Sequence, residues 1–340
     1  MLRSNCPTTE WQALEPAKLR MDSDKLSELK PVITSEYSNI NSIIVVRNGS
    51  IAYERYYNGY GPDTTHHVAS VTKSIISALI GIAIDAKYIK NIEQKVLDFF
   101  PEYVLDAADR QKQEITIRHL LTMTAPYPFE DWEEPLDKMC KEPDWIKYTL
   151  AMLGQSGSIG TFKYSTAGAH LLSSILTRST GKSAREFANE HLFKPIGMKE
   201  IPDYEMTSFG FDDLFGSNVK GWVYDPHGIS TGGWGLTLSP RDMARFGLLY
   251  LNRGIWNNNQ IISKSWIDES TAMNPNNYGY LWWLREEADV FAYLALGDGG
   301  NVICCIPELD LVVAITSEFI LNPRDRWTLI KEHILPTVID

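Results

Sequence analysis

The alternation of apolar and polar positions divides the chain into three stretches. Residues 22–38 carry Leu26, Leu29, Val32 and Ile33 on one side of a 3.6-residue period, which predicts an amphipathic helix. Ser42–Arg47 is apolar and β-branched, Asn48-Gly49 suits a two-residue turn, and Ile51–Tyr57 alternates, so a hairpin follows. After Gly61-Pro62 the period becomes helical and stays so to about residue 275. Helices are predicted over 70–85, 116–122, 135–151, 167–179, 183–193 and 240–253. The last has Ser239 as N-cap, Pro240 in the first turn and Gly254 as its stop. From Tyr278 strand character returns at 278–284, 290–296, 301–306 and 310–316, ahead of a final helix over 324–336.

This order predicts an α/β fold of the α+β kind. One antiparallel sheet is built from both chain ends and flanked by terminal helices, and a helical subdomain is inserted between its strands. Residues 20–60 with 276–340 make the sheet part and 61–275 the helical part of a single catalytic unit. A cleft between the two parts is the natural place for a small-molecule site.

Charge and composition narrow the classes of function. The 340 residues carry 32 Lys and Arg against 43 Asp and Glu, a net charge of −11, with no basic run, which argues against nucleic acid as a partner. The longest apolar stretch, Ile75–Ile84, is about half of the ~20 residues of a membrane span and is broken by Ser77 and Gly81. The first residues include Arg3, Glu10 and Glu15 and no apolar leader core, so a cytoplasmic protein is expected. Cys6, Cys140, Cys304 and Cys305 have no metal or redox spacing and read as buried free thiols. On a strand, adjacent Cys304 and Cys305 face opposite sides. No H-E-x-x-H, Cys/His cluster or strand-borne G-x-G-x-x-G is present, so no metal and no cofactor is expected. The composition leaves the oligomeric state open.

Three short patterns can carry chemistry. Ser70-Val71-Thr72-Lys73 puts a hydroxyl and an amine on one helix face, three residues apart. A partly desolvated lysine can take the serine proton, and a helix N-terminus favours charge on that oxygen. S-x-x-K also occurs at Ser27–Lys30, Ser179–Lys182 and Ser217–Lys220, but only Ser70 opens a strongly apolar helix that would bury the pair. Tyr164-Ser165-Thr166 precedes a second apolar helix; a tyrosine beside a buried lysine can act as base or relay. The plainer reading is a capping loop with Ser165 or Thr166 as the cap. Gly297-Asp298-Gly299-Gly300-Asn301 leads into a strand, where the backbone N–H of Asn301, with that of Ser70, can form an oxyanion hole. A plain turn between strands uses the same glycines.

Together these elements resemble the serine hydrolases of the β-lactamase and penicillin-binding protein group, nearest the class C β-lactamase-like branch of esterases, D-aminopeptidases and oligoamide hydrolases. The resemblance runs from about Ser42 to Ser317 and includes SVTKSI at Ser70–Ile75, ITIRHLLTMT at Ile115–Thr124 and FKYSTAGAHLL at Phe162–Leu172. LFKPIGM at Leu192–Met198, GGWGLTLSPRDMARFG at Gly232–Gly247 and IPELDLVV at Ile306–Val313 also fit. It implies Ser70 as acylated nucleophile, Lys73 as its proton partner and Tyr164 as the base of deacylation. Thr166 stands where the branch usually has Asn, and Asp298 where it usually has Lys or His. Asp298 would repel a substrate carboxylate, which points away from efficient β-lactamase activity and toward an uncharged or amine-bearing ester or amide. Thr166, Trp234, Asp298, Gly299 and Gly300 are the expected substrate-binding residues.

Two other readings compete. Gly228-Ile229-Ser230-Thr231-Gly232 matches the nucleophile elbow G-x-S-x-G, with Asp298 or Asp310 and then His333 in suitable order, but the strand and helix that should flank it are missing. A catalytically silent ligand- or peptide-binding relative would be marked by loss of Ser70, Lys73 or Tyr164, and all three are present.

Overall fold

The computed structural model describes residues 6–7, 10–103, 110–128, 131, 135–206, 208, 210–216, 218–287 and 289–339. The helices are α1 (Ser23–Glu36), α2 (Val71–Asp85), α3 (Ile117–Leu121), α4 (Pro135–Lys141), α5 (Trp145–Met152), α6 (Thr166–Thr180), α7 (Ala184–Ala188), α8 (Phe211–Phe215), α9 (Pro240–Leu251), α10 (Lys264–Ser270) and α11 (Arg326–Leu329). The long strands are β1 (Ile40–Arg47), β2 (Ser50–Tyr56), β7 (Trp283–Glu287), β8 (Val290–Gly297), β9 (Asn301–Ile306) and β10 (Leu311–Ser317). Two small ribbons pair β3 (His66–His67) with β4 (Thr237–Leu238) and β5 (Ile255–Trp256) with β6 (Asn259–Gln260).

The six long strands form one antiparallel sheet in the order β2-β1-β10-β9-β8-β7. Strands from the two ends of the sequence therefore meet inside the sheet, where β1 pairs with β10 through Ile43 opposite Ile315 and Val45 opposite Val313. At the β1–β2 turn, Asn48 and Gly49 both take positive φ, the conformation a two-residue hairpin turn requires.

Strand alternation sorts side chains onto two cores. Ile43, Val45, Cys304, Val313 and Ile315 pack under α1 and the C-terminal helix. Ile44, Val46, Ile303, Cys305, Val312 and Ala314 face the helical middle. Cys304 and Cys305 thus lie on opposite faces, and all four cysteines are free and buried. Among the described residues no helix is long and apolar enough to cross a membrane.

Two predicted elements need correction. The helix expected over 135–151 is two helices, because Pro143 cannot continue the first and Asp144 caps the second, accepting from Lys147 N–H. The strand expected over 278–284 begins only at Trp283. Gly279 N–H closes a turn onto Trp282 C=O, and Leu281 sits at φ 59° with its N–H bonded to Leu121 C=O. The apolar character of Tyr278–Trp282 reflects burial in this turn rather than strand pairing.

Helix α9 is capped by Ser239, which accepts from Asp242 N–H, and lies flat on the sheet at Gly247. A Cβ there would stand 2.6 Å from Val312 Cγ1 and 2.9 Å from Ile303 Cγ2. Gly247→Val is expected to lower stability by about 1–3 kcal/mol through overpacking, read as a fall in the urea midpoint at unchanged slope.

Candidate active site

Helix α2 is buried on every side, with all residues from Val71 to Ala83 enclosed, which makes it the central post of the helical part. Lys73 sits in its first turn with 1% of its surface exposed. An ammonium or amine in such a place requires partners, and three segments supply them. Nζ lies 2.9 Å from Ser70 Oγ and donates to Thr166 Oγ1 at 2.9 Å and to Gly233 C=O at 3.0 Å. The Tyr164 ring covers it, 4.7 Å from Nζ to the ring centroid.

The roles of these partners differ. Gly233 C=O can only accept. The Thr166 hydroxyl donates to Asp131 Oδ2 at 2.6 Å, so toward Lys73 it too can only accept. Two positions of the tetrahedral nitrogen are therefore fixed as N–H, and the third faces Ser70 Oγ. When that third position is a lone pair it can take the serine proton; when protonated it can return one.

Ser70 stands at the α2 N-terminus, where the first N–H groups have no partner within the helix. The preceding Ala69 takes φ 48°, uncommon for a residue with a Cβ. Its N–H is bonded to His67 Nδ1 at 3.3 Å. Burial pushes the His67 imidazole down to about 4, which keeps that nitrogen an acceptor at neutral pH.

Tyr164 stacks on Trp283, centroids 5.7 Å apart, and meets the buried Tyr278 edge-on at 6.1 Å. Ser165 caps α6, accepting from Gly168 N–H, so the capping reading of Y-S-T holds for Ser165 alongside the contacts of Tyr164 and Thr166 with Lys73. Asp131 was not singled out from the sequence. Its carboxylate accepts both Thr166 N–H, at 2.5 Å, and the Thr166 hydroxyl, gripping the first residue of α6.

The 298–301 turn closes the other side. Gly297 abuts Val68 C=O so closely that a Cβ would stand 2.2 Å from it. The Asn301 side chain donates to Asp298 C=O at 2.8 Å and accepts from Ser317 N–H at 3.0 Å. Behind the turn, buried Arg326 donates to Gly299 and Gly300 C=O, each at 3.3 Å, and Asn39 donates to Gly299 C=O at 2.7 Å. The turn is thus tied to β10 and the C-terminal helix. Burial raises the Asp298 carboxyl above the usual range; Lys73 opposes that shift and Asp131 adds to it, which places all three charges around one site.

The other candidates lie elsewhere. Trp234, expected to bind substrate, is drawn instead into an interior stack between Trp145 and Phe215, at 5.8 and 5.6 Å, with 3% exposed. Trp222 and Trp282 are buried as well, whereas Trp283 is half-buried against Tyr164. Ser230 is buried in a loop, its Oγ accepting from Arg185 N–H, without the strand–turn–helix an elbow needs. His119 completes a capping box with Thr116. Ser27 lies on exposed α1, Ser179 near the end of α6, and Ser217 outside the described residues.

Residues 41–326 match the Beta-lactamase family model. The chain belongs to the beta-lactamase family. Among family relatives, it is 21% identical over 327 residues to 6-aminohexanoate-dimer hydrolase of Paenarthrobacter ureafaciens, covering 87% of this chain and 76% of that protein. It is 22% identical to Beta-lactamase-like protein 2 of Dictyostelium discoideum, covering 74% of this chain and 51% of that one. The fold is similar to the octameric penicillin-binding protein homologue from Pyrococcus abyssi, with a TM-score of 0.69, 20% identity and coverage of 92% and 78%. These likenesses establish a beta-lactamase-like serine hydrolase group and the mixed α/β fold with its six-stranded antiparallel sheet.

The raised carboxyl of Asp298 gives a signed pH dependence in this beta-lactamase-family site. Below about pH 4 folded and unfolded chains both hold the proton. Above it the unfolded chain ionises first, and the folded state bears the penalty of ionising Asp298. Asp298→Asn should therefore leave the melting temperature unchanged near pH 3.5 and raise it toward neutral pH, measured by calorimetry across that range.

Proposed function

We propose that this protein is a serine hydrolase that cleaves an ester or amide bond through a Ser70 acyl-enzyme. The observation that carries the reading is the buried amine of Lys73, held by Thr166 and Gly233 with its third position facing Ser70 Oγ. Ser70 Oγ attacks the substrate carbonyl while its proton passes to Lys73. The oxyanion rests on the N–H of Ser70 and a backbone N–H of the 298–301 turn, Asn301 in the sequence reading. The proton moves by way of Lys73 and Tyr164 to the leaving oxygen or nitrogen as its bond to carbon breaks. Water, giving a proton to Tyr164, then attacks the acyl carbon, and as the ester bond breaks a proton returns by way of Tyr164 and Lys73 to Ser70 Oγ.

The substrate is a small molecule, uncharged or amine-bearing near the scissile bond. Asp298 and Asp131 put two carboxylates beside one lysine, a field that disfavours a substrate carboxylate and favours a cation. Similarity to a protein named for hydrolysing a 6-aminohexanoate dimer supports a small-molecule substrate.

Mass spectrometry after treatment with a fluorophosphonate is expected to find a single adduct on Ser70, with p-nitrophenyl acetate turnover lost in Ser70→Ala. An adduct on Ser230, or full turnover by Ser70→Ala, would sink the assignment. For the charge argument, Asp298→Asn should improve kcat/KM on a carboxylate-bearing ester by roughly tenfold relative to its amine-bearing analogue, about 1.4 kcal/mol of differential binding. An unchanged ratio refutes it.

A further inference from the structure

We infer that the buried pair His170–Asp225 is a positioning device that sets the Gly233 carbonyl against Lys73. The inference rests on the reading of Lys73 as the proton partner of Ser70. Both side chains of the pair are fully buried, and His170 Nε2 stands 3.1 Å from Asp225 Oδ2. A carboxylate placed so deep is not there for solubility, and its two oxygens have separate duties. Oδ1 accepts the N–H groups of His227 and Ile229, both at 2.9 Å, and so folds the start of the glycine-rich loop. Oδ2 binds the histidine of α6. His170 Nδ1 has no hydrogen-bond partner among the described residues, which assigns the ring proton to Nε2, donating to Asp225.

The connection to the site is short and made of backbone. His170 lies one turn after Thr166 on α6. The loop that Asp225 begins returns across this same turn. A Cβ on Gly232 would stand 1.9 Å from Ala169 C=O and 2.9 Å from His170 Cα, and one on Gly233 2.5 Å from Thr166 Cγ2. Two further bonds clasp the loop, Ser173 Oγ donating to Ser230 C=O at 2.5 Å and Trp222 Nε1 to Thr231 C=O at 2.8 Å. Gly233 C=O then accepts from Lys73. The histidine thus links the helix carrying Thr166, the first fixed acceptor, to the residue that folds the loop carrying the second. Loosening the pair lets Gly233 C=O drift and frees the Lys73 amine to turn its lone pair away from Ser70.

The experiment measures the fluorophosphonate labelling rate of Ser70, with kcat and KM for p-nitrophenyl acetate, in wild type, His170→Leu, His170→Gln and Asp225→Asn. Asp225→Asn keeps Oδ1 for the two backbone donors and presents an amide N–H to His170. His170→Gln returns a donor at the Nε2 position. His170→Leu and Asp225→Asn should lower labelling rate and kcat by roughly 10- to 100-fold with KM within about twofold. His170→Gln should recover most of the loss. If His170→Leu does not fold, Asp225→Asn against His170→Gln decides the question. Wild-type rates in a folded His170→Leu or Asp225→Asn overturn the inference. So does a His170→Gln protein as slow as His170→Leu, which would mean that ring packing against Trp145 and not the hydrogen bond matters. Absence of Ser70 labelling in the wild type instead overturns the reading of the site itself.

Discussion

One buried nitrogen organises this protein. Lys73 cannot leave α2, because the helix is buried and packed on every side, and it cannot remain there without acceptors. The three it has come from its own helix, from the start of α6 and from the glycine-rich loop. Each of those must be fixed in turn, which is why a carboxylate grips Thr166 and why glycines let the loop backbone press onto α6. Much of the polar structure in the helical part follows from satisfying this amine.

The same requirement explains how two departures from the usual pattern of the family fit together. Thr166 is shorter than an amide and has one hydroxyl where an asparagine would have a donor and an acceptor. Asp131 takes up the hydroxyl proton, so the oxygen turns to Lys73. Asp298 is then the second carboxylate near one cation, and burial with like charge nearby raises its carboxyl.

Where the sequence is periodic, the structure follows it closely. The N-terminal hairpin with its Asn48-Gly49 turn, α2, α6, α9 and the last three strands all lie within a few residues of their expected bounds, because one-sided or complete burial writes itself into apolar spacing. Ser70, Lys73 and Thr166 were legible for the same reason, each sitting at the start of such a helix. Asp131 was not legible, since it lies in a polar loop and its meaning arises only when that loop is brought 35 residues along the chain to α6. The pairing of His170 with Asp225 joins positions 55 apart and has no local signature. The glycines around Trp234 suggest an open loop, whereas Trp145 and Phe215 arrive from distant segments to enclose it. Tyr278–Trp282 misled because a buried turn and a buried strand share composition, and only backbone pairing separates them.

The strand order carries a consequence for how the molecule comes into being. β1 is synthesised well before its partner β10, with Ile43 waiting for Ile315. Until then the hairpin has one bare edge, and the apolar face of α9 has no sheet to lie on. Closing so long a loop is entropically slow, and its gain arrives only at the end. The turn at 298–301, which packs against Val68, is made in that same step, because Ser317 at the end of β10 and Arg326 beyond it hold it. Ser70 therefore acquires its full surroundings only when the chain has been made and closed as far as Arg326.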